Sequence, residues 1–317
     1  MNQNADNLID VSVVIPVYNE EDNLPALHRH LKEVLAETDY CCELIFVDDG
    51  SQDRSLQVLR DIREVSSAID IRIVQLSRNF GQHPALNAGF STARGSVIAT
   101  IDADLQIDPG HIPAMVDKIH SGYDFVSGIR RGRGDSFLFR RLPSRALNLL
   151  IGAVIGKKLR DYNCPLNVMR AEIVQAMREY GEMQRFFKPL AVRLARRIAE
   201  VEVRHDRRMA GVSKYSFLNL VDLFFDFVTN FSKQFFQKVA IAGFGLFGIN
   251  FLIETLYLIL RFPLGIIPEP LDRLQATALI GFIFGVQLLI VGVLGDFVIR
   301  IYRKIDSKPL YIIKKVW

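Results

Sequence analysis

The stretch "GSVIATIDADLQID" (residues 95–108) runs from a glycine through a β-branched apolar run into the carboxylates Asp102, Asp104 and Asp108. A short apolar run bounded by turn residues reads as a strand buried on both faces. Carboxylates gathered at its end raise each other's pKa unless a partner answers them. The same order recurs upstream: "VSVVIPVY" (11–18), "ELIFVDD" (43–49) and "IRIVQLS" (71–77) lead to Asn19 and Glu20, to Asp48 and Asp49, and to Arg78 and Asn79. "DFVSGI" (124–129) is a further apolar run, and amphipathic stretches around 22–37, 53–66, 83–93 and 110–121 lie between them. Strands alternating with helices predict an α/β domain whose mostly parallel sheet is covered by helices. Ligands in such sheets bind beyond the carboxyl ends of the strands. The polar strand ends are therefore expected to line one site.

In an extended chain Asp102 and Asp104 point to the same side, and two carboxylates facing one way suit a divalent cation. Oxygen donors without His or Cys favour Mg²⁺ or Mn²⁺ over zinc, and Mg²⁺ usually shares its shell with phosphates. A lone D-x-D also fits a solvated loop. His83, His111 and His205 are not spaced as a metal set, and His83, before Pro84, reads as a helix-start or sugar-contact residue. Cys41, Cys42 and Cys164 lack metal spacing and, being odd in number, are expected as free thiols.

The 317-residue chain is 50% hydrophobic, more than a soluble α/β domain needs. The excess lies near one end. Residues 239–260 are apolar apart from Asn250 and Glu254, and residues 276–295 carry no charge. At 1.5 Å per residue these spans measure roughly 33 and 30 Å, the thickness of a hydrocarbon core. The prolines and charges of "RFPLGIIPEPLDR" between them predict a loop, and so a transmembrane hairpin. Lys233 and Lys238 precede the first span, and Arg300, Arg303, Lys304, Lys308, Lys314 and Lys315 follow the second, so both ends are expected on the cytosolic side. The polar start "MNQNADNLID" has no apolar h-region, which keeps the first 230 or so residues on that side too. The expected location is the inner membrane, crossed more than once. Glu254 inside a span is either a functional group or an interface residue. Gly281 and Gly285 form G-x-x-x-G, which packs helices across subunits or within one chain.

In their order and spacing, "VVIPVYNEEDNL" (13–24), "VDDGSQDRS" (47–55), "NFGQHPALNAGF" (79–90) and "GSVIATIDADLQ" (95–106) resemble the family 2 glycosyltransferases with a GT-A fold. The resemblance implies a nucleotide diphosphate sugar as donor. It assigns Pro16, Tyr18, Glu20 and Asp49 to the nucleoside, and Asp102, Asp104 and Gln106 to the metal and diphosphate. Pro16 also fits a strand end, Tyr18 a packing role and Asp49 the turn "DDGS".

Residues 130–160 hold nine Arg or Lys and one acid, Asp135. Within them "FLFRRLPSRALNLLIGAVIGKKL" (137–159) has apolar and basic groups at helical spacing, as an interfacial helix does on anionic lipid. "SFLNLVDLFFDFVTNFSKQFF" (216–236) reads as a second, juxtamembrane one. Nucleic-acid binding would leave the apolar half of the first segment in water. In "RRMAGVSKYSFLNL" (207–220), Arg208, Ser213, Lys214 and Tyr215 are groups suited to a phosphate, and the stretch resembles the acceptor loop of the polyprenyl-phosphate glycosyltransferases. With the two spans, that likeness extends over nearly the whole chain. It implies a GT-A domain over 1–215 with an interfacial helix near 137–158, a juxtamembrane helix at 216–236 and a membrane domain at 237–317. The implied reaction is inverting transfer, from a UDP-sugar by preference, to undecaprenyl phosphate. Some relatives suggest a tetramer.

The chain departs from that branch at one point. The branch usually carries D-x-x-C-x-x-R, whereas "DYNCPLNVMR" (161–170) has Asp161, Cys164 and Asn167, an amide where a cation is expected. Arg170 or cations elsewhere are the candidates to take the load. Asp161 matches a position often assigned as base, yet a phosphate monoester with a second pKa of ~6 is mostly a dianion at neutral pH, so an orienting role also fits. Two other classes stand beside this reading. A processive polysaccharide synthase normally shows Q-x-x-R-W, and the only tryptophan is Trp317. A catalytically silent scaffold that binds nucleotide sugar would not need both metal acids.

Overall fold

The computed structural model describes residues 9–66, 69–131, 156–157, 159–162, 164–204, 235–262, 264–266, 272–305 and 310–317. It divides the chain into two compact units, 1–214 with 308–317, and 215–307. Most of the interfacial helix expected near 137–158, and the juxtamembrane helix except its last two residues, lie outside the described residues.

The first unit is built on strands β1 (Val11–Val17), β2 (Cys42–Asp48), β3 (Asp70–Leu76), β4 (Val97–Thr100), β5 (Phe125–Arg131), β6 (Asn167–Arg170), β7 (Ile198–Arg204) and β8 (Ile313–Val316). They form one sheet in the order β7-β5-β6-β4-β1-β2-β3-β8. The five runs read from the sequence are β1 to β5. β1 pairs in parallel with β2 and β4, β2 with β3, and β5 with β7. The short β6 lies antiparallel between β4 and β5 and bridges the two parallel groups. Helices α1 (Leu24–Ala36), α2 (Ser55–Val65), α3 (Gln82–Thr92) and α4 (Ile112–His120) follow the first four strands, and α5 (Ala171–Arg178) and α6 (Phe187–Leu194) follow β6. Val13, Ile15, Leu44, Phe46 and Ile73 are fully buried in the core, as expected of central parallel strands covered on both faces.

β8 was not expected. "IKKV" reads as part of a basic tail, but its backbone pairs antiparallel with β3 and covers what would be an open edge. Trp317 exchanges both main-chain bonds with Ile73 (3.0 and 3.2 Å), and its ring lies 4.4 Å from the Arg60 guanidinium. The Ser77 amide donates to the Ile312 carbonyl at 2.9 Å, so the tail also holds the end of β3.

The second unit contains α7 (Phe235–Arg261) and α8 (Asp272–Ile305), each with a stretch long and apolar enough to cross a membrane, Phe236–Arg261 and Gln275–Val298. Large apolar side chains such as Ile241, Phe244, Leu252, Ile280 and Phe284 face outward and are more than half exposed, an apolar surface that suits lipid. The two helices pack closely through glycine. A Cβ on Gly285 would lie 2.5 Å from the Phe247 amide nitrogen, and one on Gly281 2.5 Å from the Asn250 side-chain oxygen. The G-x-x-x-G motif thus faces the first span of its own chain. Glu254 is half-buried on α7.

Trp317→Ala removes the ring that anchors the tail. It is expected to cost about 2 kcal/mol, a partly buried share of the usual cost of truncating a large aromatic. Calorimetry on the detergent-solubilised protein checks this, and an unchanged unfolding midpoint would contradict the docking of β8.

Candidate active site

The site is built from loops that leave the carboxyl ends of the strands and bind one another in series. After β1 the chain turns through Asn19, a non-glycine residue at φ 56°. Its amide donates to Ser51 Oγ (3.1 Å), and its side-chain oxygen accepts from the Gln52 amide (2.8 Å). The Glu20 amide donates to Ser55 Oγ (2.9 Å), which ties the β1 loop to the start of α2. Tyr18 is exposed here, and Pro16 sits within β1 opposite Val47.

Asp48 and Asp49 end β2, both buried. Asp49 accepts the Phe80 amide (2.7 Å) on one oxygen and the Gly81 amide (2.8 Å) on the other, so it holds the β3–α3 loop. Gly50 makes that approach possible: at φ 68°, its missing Cβ would lie 2.6 Å from the Arg78 carbonyl carbon. Burial pushes both carboxyls above their ordinary range, against the hydrogen bonds that lower them. Asp48 takes the Ser51 amide at 3.1 Å on one oxygen, while its other oxygen has no partner.

α3 passes the link onward, because Gln82 Nε2 donates to Asp102 Oδ1 at 2.6 Å. β4 ends at Thr100, and a turn begins at Ala103. The extended alternation expected to carry Asp102 and Asp104 to one side therefore stops short of Asp104. Leu105, at φ 57°, reverses the chain, and the Gln106 amide closes on Asp104 Oδ1 at 3.1 Å. Two carboxylates and an amide within five residues remain a hard-oxygen set that fits Mg²⁺ or Mn²⁺ shared with a diphosphate. No group of three or more His, Cys, Asp or Glu that could hold a metal occurs among the described residues.

Asp161 comes to the end of β5, where Arg130 grips it with two bonds: Nε to Oδ2 at 2.8 Å and Nη2 to Oδ1 at 3.0 Å. Arg130 was not singled out in the sequence, although a cation at a strand end was the signal that would have found it. Asn167 is fully buried at the start of β6. Its amide nitrogen donates to the carbonyls of Pro165 (3.0 Å) and Cys164 (3.2 Å) and to Thr100 Oγ1 (3.3 Å). Arg170 does not replace a cation there. It lies at the opposite end of β6, across from Val97, and donates to the carbonyls of Ile119 (3.0 Å) and Tyr123 (3.2 Å). Among the described residues, Arg130 bonds the Asp161 carboxylate and Lys188 its main-chain carbonyl (2.8 Å). The lysine in "FFKPL" was missed because nothing but its apolar neighbours marks it as buried. His83 packs against Phe187, with ring centroids 5.8 Å apart. Arg208, Ser213, Lys214 and Tyr215 lie outside the described residues, as does His205.

Residues 12–178 match the family model for glycosyl transferase family 2. The chain belongs to that family. This transferase is 38% identical over 306 residues, 96% of its length and 93% of the relative's, to the undecaprenyl-phosphate 4-deoxy-4-formamido-L-arabinose transferase of Proteus mirabilis (strain HI4320). It is 39% identical to the protein of the same name from Pseudomonas aeruginosa (strain LESB58), over 96% of this chain and 90% of that one. Among solved structures, glucosyl-3-phosphoglycerate synthase from Mycobacterium tuberculosis is similar at 20% identity and a TM-score of 0.46, over 70% of the transferase and 79% of that chain.

A prediction follows from the half-satisfied Asp48. Its raised carboxyl pKa means that ionisation costs the folded state stability as pH rises from the unfolded value through the folded one. Asp48→Asn removes that charge and is expected to stabilise the protein by about 1 kcal/mol at pH 7, with the gain shrinking as the pH falls and the wild-type carboxyl protonates. Melting temperatures of both proteins across pH test the sign.

Proposed function

We propose that this transferase moves 4-deoxy-4-formamido-L-arabinose from a UDP-sugar to undecaprenyl phosphate, with inversion, at the inner face of a membrane that its two apolar helices cross. The observation that carries the reading is the similarity over 96% of the chain to relatives with that printed name. The carboxylates at the strand ends support it, because a divalent cation held by them would compensate the charge of a diphosphate leaving group.

In this reading Tyr18, Glu20 and Asp49 lie toward the nucleoside, with Pro16 fixing the strand beneath them. Asp102, Asp104 and Gln106 would hold Mg²⁺ or Mn²⁺, which when bound would neutralise charge growing on the departing diphosphate. An oxygen of the lipid phosphate forms a bond to the anomeric carbon from one face as the bond to the diphosphate oxygen breaks on the other. A phosphate monoester is mostly dianionic at neutral pH, so its oxygen needs no proton removed. The paired grip of Arg130 on Asp161 (2.8 and 3.0 Å) supports Asp161 as the group that orients a cation rather than as a base. Fixed cations that meet charge as it develops favour the transition state. Arg208, Ser213, Lys214 and Tyr215 are assigned to the acceptor phosphate, and residues 137–158 and 216–236 to the membrane interface.

The test is transfer from radiolabelled UDP- and GDP-sugars, UDP-4-deoxy-4-formamido-L-arabinose among them, to undecaprenyl phosphate in detergent, with Mg²⁺ or Mn²⁺ against EDTA. Labelled lipid from one donor is expected, abolished by EDTA and reduced at least ~100-fold by Asp104→Ala. Nucleotide binding with no labelled lipid would favour another acceptor or a silent scaffold. Asp161→Asn separates the two roles of that residue. As an orienting group it is expected to lower kcat about tenfold while leaving the shape of the pH–rate profile unchanged; loss of an acid limb would identify a general base instead.

A further inference from the structure

Lys188 is the one charged residue of the α6 core face, 3% exposed in the first turn of that helix. Burial and the positive end of a helix both disfavour a cation there. Among the described residues no carboxylate oxygen makes a direct hydrogen bond to its ammonium, and Asp161 and Glu200 act on it only through their charge. Nζ donates to the main-chain carbonyls of Asp161 (2.8 Å) and Cys164 (3.1 Å).

Those carbonyls belong to a segment whose oxygens are turned inward one after another. The Cys164 carbonyl is shared with Asn167, the Pro165 carbonyl accepts from Asn167 and from Thr100 Oγ1 (2.8 Å), and the Leu166 carbonyl accepts the Gly128 amide (2.9 Å). Asn167 and Thr100 thus hold the end that enters β6. Lys188 reaches back to the Asp161 carbonyl, and the Asp161 side chain is held by Arg130. Main chain and side chain of one residue are therefore clamped by two cations, one from α6 and one from β5.

We infer that Lys188 is a positioning residue: by fixing the Asp161 main chain it sets where the Asp161 carboxylate holds the Arg130 guanidinium at the strand end. Arg130 cannot keep its two-bond geometry if Asp161 drifts, because both of those bonds depend on the placement of one carboxylate plane. The inference rests on the proposed transfer only for its kinetic readout.

Burial pushes Lys188 down to about 8, so its charge is lost as pH rises through that value. The titratable or charged groups around it are Asp161 and Cys164 on the clamped segment, Arg130 on β5 and Glu200 on β7. Lys188→Met keeps the stem and removes the charge. The expected result is a fall in kcat of at least tenfold, with KM for the sugar nucleotide within about threefold of wild type, and loss of the decline in rate expected of wild type as pH rises through about 8. Hydrogen–deuterium exchange should quicken in the peptide spanning 159–166 while β1 to β4 stay protected. This second readout needs no turnover, so if wild type transfers no sugar the functional reading fails while the exchange still decides the inference. Wild-type kcat with unchanged exchange in Lys188→Met overturns it. So does faster exchange throughout the domain with kcat lowered only by the unfolded fraction, which would make Lys188 a support of the fold alone.

Discussion

Asp49 takes one backbone amide on each carboxylate oxygen, from Phe80 at 2.7 Å and Gly81 at 2.8 Å, and the rest of the site depends on that exchange. A carboxylate at the end of a buried strand is costly unless donors replace the water it has lost. Here the donors come from the next loop, so the cost is met only when β2 and the β3–α3 loop are assembled together. The same exchange repeats along the sheet. Ser51 and Gln52 answer Asn19, Gln82 answers Asp102, and Arg130 answers Asp161. Each loop completes its neighbour, and the row of strand ends becomes one continuous polar rim over an apolar sheet.

The parallel core was legible because its strands are buried on both faces and so appear as unbroken apolar runs. "VSVVIPVY" and "ELIFVDD" could hardly be amphipathic helices. β6 was not legible: "NVMR" is four residues long, with Asn167 at one end and Arg170 at the other, and only its two neighbours in the sheet identify it as a strand. β8 was hidden by composition, since two of its four residues are lysines, and an edge strand needs only its backbone to pair. Within the site, the identity of the strand-end acids could be read but not their directions. Leu105 adopts a backbone conformation that its side chain disfavours, and no propensity would have placed a chain reversal there.

The cations were the least legible part, for a physical reason. A carboxylate is short, so its strand position fixes its place, whereas Arg and Lys reach across several ångströms and can act far from their own backbone. Arg170 follows Asn167 by three residues yet serves the other end of β6, because an antiparallel strand carries its residues away from the site as the chain advances. Lys188, more than twenty residues from Asp161 in sequence, comes close because α6 packs under the clamped segment. Sequence distance is therefore a poor guide to which backbone segment a cation reaches.

Close approach also limits what the two apolar helices can do. Helices in a bilayer gain little from burying one apolar surface against another, so contact between small residues matters more than hydrophobicity. In this unit that contact is spent within the chain: a side chain at Gly243 would meet the backbone of Leu289, one at Gly285 that of Phe247, and one at Gly292 that of Ala240. Gly243, Gly285 and Gly292 are turned toward the facing helix, whereas a side chain at Gly245 or Gly248 on α7 would meet nothing within 4 Å. The outward surface of the pair carries large side chains such as Ile241, Phe244 and Leu252, with Gly245 and Gly248 among them. The G-x-x-x-G motif, Gly281 and Gly285, thus packs α8 on α7 of the same chain.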